Sequence, residues 1–172
     1  MALDIVVRCL MQVELFAGLR PLQLAELARR SDRIVYKPGD QIISEGALGD
    51  AAVLIVSGDA VRISGPGLMQ SREPVADGSL VGELAMLIET EHTSTVVARA
   101  VTRAIRITRQ SIHQQIEADP RLADHLSHKL ARRLETIAHD LREIDGLLAH
   151  GEASYAPSLR GQARAQTGAQ LN

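Results

Sequence analysis

A mainly β domain, a sandwich or barrel of short strands flanked by helices and followed by one long helix, is the fold class this 172-residue sequence predicts. Three observations carry it. Between Asp32 and about Thr108 the apolar residues come in short alternating or continuous runs: RIVY, QII, AVLIV, AVRIS, a stretch around Met69 to Val75, STVVA and RAIRI. Turn-forming residues separate these runs. Helical periodicity is confined to the two ends and to one short segment inside the strand region.

In chain order, residues 1–30 read as two short helices, at 4–13 and 21–30, with Pro21 suited to a first helical turn. Residues 31–108 are the strand region. Pro38-Gly39-Asp40, Gly46, Gly49-Asp50, Gly58-Asp59, Gly65-Pro66-Gly67 and Asp77-Gly78 supply the tight or left-handed turns that hairpins need. GELAMLIE, residues 82–89, interrupts the strands with a helical turn or two. Residues 109–150 are helical again. Thr108 or Ser111 caps a helix to about Ala118, and Asp119-Pro120 then starts a longer one. Residues 151–172 are small, polar and aperiodic, and read as a flexible tail.

Composition excludes several functions. Apolar residues make up 45% and charged residues 23%, and no apolar stretch approaches the roughly 20 residues that cross a bilayer. The N-terminus carries Asp4 and Glu14 and lacks the pattern of a signal peptide, so a cytoplasmic protein with no membrane partner is expected. Cys9 is the only cysteine, which rules out an intrachain disulfide and thiolate metal clusters. The formal charge of −2 and the scarcity of aromatics argue against a protein built around nucleic acid. No G-x-S-x-G, P-loop or H-E-x-x-H is present, so no catalytic residue is assigned and no enzyme is expected. His125 with His128, and His139 with Glu143, stand at helical ligand spacing, but two ligands without a third make a solvated helix face, and no metal is assigned.

Gly82-Glu83-Leu84-Ala85 is different. It follows a strand and opens a helical turn, an arrangement that aims free N–H groups at one point and suits an anion. Around it stand, in order, LFAGL (15–19), YKPGDQIISEGALGD (36–50), VSGDAVRIS (56–64), GSLVGELAML (78–87) and STVVARAVTRAIRI (94–107). On these motifs, over roughly residues 13–148, the chain resembles the cyclic-nucleotide-binding domain family. The long helix, down to LARRLET at 130–136, is similar to the dimer helix of the catabolite activator proteins.

The resemblance implies a double-stranded β-helix, or β-roll, whose phosphate-binding cassette at residues 82–94 wraps the cyclic phosphate of cAMP or cGMP. It places Glu83 at the ribose 2′-hydroxyl and the backbone amides of Leu84 and Ala85 at the phosphate. Thr93, followed by Ser94, holds the hydroxyl position of the cassette. The ligand is the only small molecule implied, and no cofactor is required. In the family an arginine about nine residues after the glutamate clamps the phosphate; here that position is His92. An imidazole is shorter and loses its charge near neutral pH. A bidentate bond to a charged group is worth on the order of 1.5 to 3 kcal/mol, so its loss weakens binding roughly tenfold to more than a hundredfold. The activators also present hydroxyls from the long helix to the adenine, where this chain has Ile137 and Ala138.

Along the long helix Leu122, Leu126, Leu130, Leu134, Ile137, Leu141, Ile144 and Leu148 recur at helical spacing. From Leu130 the steps alternate four and three, a heptad seam that packs helix on helix. Packing on its own β-roll explains Leu122 and Leu126; Leu130 to Leu148 predict a parallel homodimer, with an unidentified protein downstream. The activators continue into a helix-turn-helix domain, which the aperiodic residues after Leu148 do not supply, so direct DNA binding is not expected. Two readings follow: a cyclic-nucleotide sensor with weakened or altered binding, or a dimeric scaffold with a vestigial pocket. A transcription-regulator relative without its DNA-binding domain is a variant of the first.

Overall fold

The computed structural model describes residues 3–65 and 69–154, with side chains to residue 145. The chain divides into two compact units, Met1–Leu130 and Ala131–Asn172. The first opens with α1 (Leu3–Gln12), a 3-10 turn at Glu14–Phe16 and α2 (Pro21–Arg29), where Pro21 takes the first-turn position expected of it. Ten strands follow. The longer ones are β1 (Asp32–Tyr36), β2 (Gln41–Ile43), β4 (Ala51–Ser57), β5 (Ala60–Ser64), β6 (Ser71–Val75), β9 (Thr95–Ala98) and β10 (Thr102–Thr108). These are the seven runs read from the sequence. Three two-residue strands, β3 (Leu48–Gly49), β7 (Leu80–Val81) and β8 (Thr90–Glu91), were outside that reading.

Every strand pair is antiparallel, in two four-stranded sheets ordered β1-β10-β4-β7 and β2-β9-β5-β6, with β3 and β8 forming a third small pair. The result is the mainly β roll with flanking helices that the sequence predicts. Two cores result from side-chain alternation. On β4, Ala52 and Leu54 turn toward the helices, joining Leu10, Phe16, Leu24, Leu27, Ile105, Ile107 and Ile112. Val53 and Ile55 turn the other way, into the roll, with Ile42, Ala60, Val75, Val81, Val96, Ala98 and Ala104. Because both faces are covered, β4 reads as a continuous apolar run rather than an alternating one.

After β10, α3 (Arg109–Ala118) is capped by Thr108, whose hydroxyl accepts from the Ser111 N–H at 3.1 Å. Asp119 then accepts from the Arg121 N–H at 3.2 Å and starts α4 (Arg121–Ser154). This helix runs four residues past the expected limit at 150. Leu122 and Leu126 are 1% and 3% exposed and belong to the helical core, as their spacing predicts. In the second unit Leu134, Ile137, Leu141 and Ile144 are between 47% and 66% exposed. The expected tail from 155 onward and the side chain of Leu148 lie outside the described residues.

Candidate ligand-binding site

Gly82 adopts φ 67°, ψ 30°, a left-handed conformation that costs an L side chain about 1 to 2 kcal/mol and glycine nothing. It turns the chain from β7 into a 3-10 turn, Glu83–Met86. Glu83 is half-buried, Leu84 exposed, Ala85 and Met86 buried. The turn uses one of the amides that the sequence assigned to an anion: the Ala85 N–H donates to the Gly82 carbonyl at 3.0 Å. A 3-10 turn closes each N–H on the third residue back, which corrects the placement of the Ala85 amide. Leu84 lies one residue earlier, where the turn itself offers no partner.

The far end of the cassette is fixed by pairing. Leu48 and Gly49 of β3 pair with Glu91 and Thr90 of β8. The ladder extends by two bonds, from the His92 N–H to the Ala47 carbonyl at 3.0 Å and from the Gly46 N–H to the His92 carbonyl at 2.9 Å. His92 is therefore anchored through its backbone, and its ring turns inward over two glycines. A Cβ added at Gly49 would lie 2.7 Å from His92 Cε1 and Nε2, and one added at Gly82 would lie 2.8 Å from His92 Cε1. The Gly49 Cβ would also meet the Ala85 Cβ at 2.4 Å. Gly49, Gly82, Ala85 and His92 thus form one tight cluster, in which the bare glycine backbones make room for the imidazole. Thr93 is exposed beside it and Ser94 is buried.

Behind this cluster, α3 and β10 brace it with charge. Arg109 donates to the Gly49 carbonyl at 2.6 Å, and its guanidinium lies 3.8 Å from Glu89. His113 Nε2 lies 3.0 Å from the Leu87 carbonyl oxygen, which can only accept, so that nitrogen carries its proton. Arg106 pairs with Asp50 and, at 3.5 Å, with Asp32. The hydrogen bond from Arg106 holds the Asp50 carboxyl below its ordinary pKa.

Sequence reasoning missed three of the residues that shape this region. Gly49 was read as turn punctuation, and Arg109 had no distinguishing signal. The third, Arg62, lies in β5 in register with Val96 on β9 and Glu73 on β6. Directly opposed residues of antiparallel strands share a face, and Val96 is fully buried in the roll core. Two residues before Arg62, Ala60 stands opposite Ala98 and Val75 in the same core. Arg62 therefore projects from the interior face of the roll. Its Nε is buried and has no hydrogen-bond partner among the described residues.

The sequence model of one family, Cyclic nucleotide-binding domain, matches residues 33–119, just over half of the chain. Over 102 residues the chain is 36% identical to the cAMP-dependent protein kinase regulatory subunit of Aspergillus fumigatus, covering 57% of this chain and 24% of that subunit. It is 29% identical over 144 residues to the Cyclic AMP receptor protein of Thermus thermophilus, covering 83% of this chain and 67% of the receptor. The N-terminal domain of a transcriptional regulator from Streptomyces coelicolor A3(2) shares the fold, with a TM-score of 0.71, at 24% identity, over 77% of this chain and 94% of that domain. The matched stretch thus amounts to about a quarter of the fungal subunit and two-thirds of the bacterial receptor.

Proposed function

Because the chain belongs to the cyclic nucleotide-binding domain family, we propose that it is a regulatory sensor in which a cyclic nucleotide in the roll biases a dimeric C-terminal helix. The observation that supports this is the cassette's construction: a left-handed Gly82 turns the chain into the segment that carries Glu83 and Leu84, and the β3–β8 clasp fixes the end that leads into His92 and Thr93. Its binding is weaker than that of an arginine-clamped cassette, because His92 offers an anion one short imidazole in place of a guanidinium fork.

Calorimetric titration with cAMP and with cGMP at pH 6 and pH 7.5 tests this. His92→Arg is expected to tighten binding by about tenfold or more. Absence of heat for both nucleotides in both proteins would discard the sensor.

The exposed heptad positions Leu134, Ile137, Leu141 and Ile144 support self-association through α4, since a monomer leaves that seam in water. One observation favours the rival scaffold reading, in which the pocket is vestigial: the His92 ring already rests on Gly49 and Gly82, and the Ala85 amide is already engaged.

A further inference from the structure

We propose that Arg62 and Glu73 read the base of the ligand and select guanine, so that the cyclic nucleotide this roll takes is cGMP rather than cAMP. The proposal rests on the sensor reading above, keeps the phosphate at the cassette and assigns the other end of the ligand.

Arg62 on β5 and Glu73 on β6 stand directly across from each other in the antiparallel ladder, so their side chains leave the sheet on one face. That face is the interior one. Ala60 and Val75, the next pair on the same side, are buried in the roll core, as is Val96 opposite Arg62 on β9. Val81 belongs to the same core and immediately precedes Gly82, so the cassette begins at the edge of this core. From Val96 back to His92 is four residues, at most about 14 Å of extended chain, a span that a nucleotide bridges with an arginine side chain reaching to meet it.

Opposite charges so placed normally pair, and here they do not. Glu73 Oε1 accepts from the Ser71 hydroxyl at 3.1 Å, and the buried Arg62 Nε has no hydrogen-bond partner among the described residues. Arg106 faces the roll core as well, across from Val53, but its guanidinium is paired with Asp50 and, at 3.5 Å, with Asp32. A guanidinium does not shed its proton, and a buried N–H left unmade is costly. A cation and a carboxylate held apart on one face fit a ligand edge that offers acceptors to the first and donors to the second.

Guanine is such a ligand. Its O6 and N7 accept side by side, in the geometry of an arginine fork, and its N1–H and exocyclic N2 amino group donate along the adjoining edge, where a carboxylate accepts. Adenine carries an amino donor where guanine has O6 and an acceptor nitrogen where guanine has N1–H. It would therefore meet Arg62 with a donor and Glu73 with an acceptor.

The test titrates the whole chain calorimetrically with cGMP, cAMP and cyclic IMP, which keeps O6, N7 and N1–H but lacks the N2 amino group. cGMP is expected to bind at least about tenfold tighter than cAMP, with cyclic IMP between them. Arg62→Gln is expected to weaken cGMP about tenfold or more and to strengthen cAMP, because a glutamine amide pairs with adenine N6 and N7. A merely structural role for Arg62 would weaken both alike. Glu73→Ala, at an exposed position, is expected to erase the difference between cGMP and cyclic IMP. Thermal melts check folding, and should Arg62→Gln not fold, the wild-type preference and Glu73→Ala decide. Equal or tighter binding of cAMP by the wild type overturns the assignment and leaves the sensor reading standing. An unchanged preference for cGMP in both variants overturns it as well. No binding of any of the three by the wild type or by His92→Arg removes the sensor, and the base reading with it.

Discussion

Arg109, at the start of α3, donates a 2.6 Å hydrogen bond to the carbonyl of Gly49, the same residue whose Cα is covered by the His92 ring. A helix is thereby fastened to the back of a strand whose front faces the candidate pocket. A hydrogen bond to a charged group is worth about 1.5 to 3 kcal/mol at most sites, and Arg109 is only partly shielded, so Arg109→Ala should lower unfolding free energy by about 1 to 2 kcal/mol. Urea denaturation measures this. Hydrogen exchange should quicken first in β3 and the cassette.

The two glycines around His92 should respond differently to a methyl group. Gly49→Ala presses on the Ala85 Cβ as well as on the ring and should cost about 1 to 3 kcal/mol whether or not His92 is present. Gly82→Ala meets the ring first and then the Ala51 carbonyl, and adds the left-handed backbone penalty of about 1 to 2 kcal/mol. A double-mutant cycle with His92→Ala should therefore show stronger coupling as a share of the cost at Gly82 than at Gly49.

The α4 leucines divide into a buried set and an exposed set. Leu126→Ala, at a buried position, should cost about 2 to 5 kcal/mol of stability. Leu141→Asp, at an exposed one, should leave the thermal transition of the roll nearly unchanged and convert a dimer to a monomer in sedimentation velocity. Identical sedimentation of wild type and Leu141→Asp would remove the seam as an interface.

Asp50 gives a pH dependence whose sign is fixed by its lowered pKa. The folded state holds this carboxylate ionised against Arg106 more firmly than the unfolded chain does. The contribution is complete above the ordinary carboxylate range and is lost as pH falls through the folded value. Asp50 itself is largely exposed, so the effect is small. Acid titration followed by circular dichroism should show a slightly shallower loss of stability in Asp50→Asn.

The seven longer strands were legible because alternation needs four or five residues to declare itself, and each run had that length. The pairs Leu48–Gly49, Leu80–Val81 and Thr90–Glu91 hold no period, and only their partners define them as strands. His92 was visible as a departure from the family's arginine, but its seat against Gly49 depends on a contact spanning more than 40 residues, which local pattern does not encode. Arg62 was hidden for a similar reason. Within AVRIS a charged residue reads as the outward face, and only the register with Val96 turns it inward.

Strand β4 separates two cores by the thickness of a single chain, with Val53 and Leu54 looking in opposite directions. Such a party wall has no slack side. Any rearrangement beside Val53 in the roll must be answered within one residue among Leu10, Phe16 and Ile112, so the helical layer registers what happens within the barrel without any dedicated relay between them.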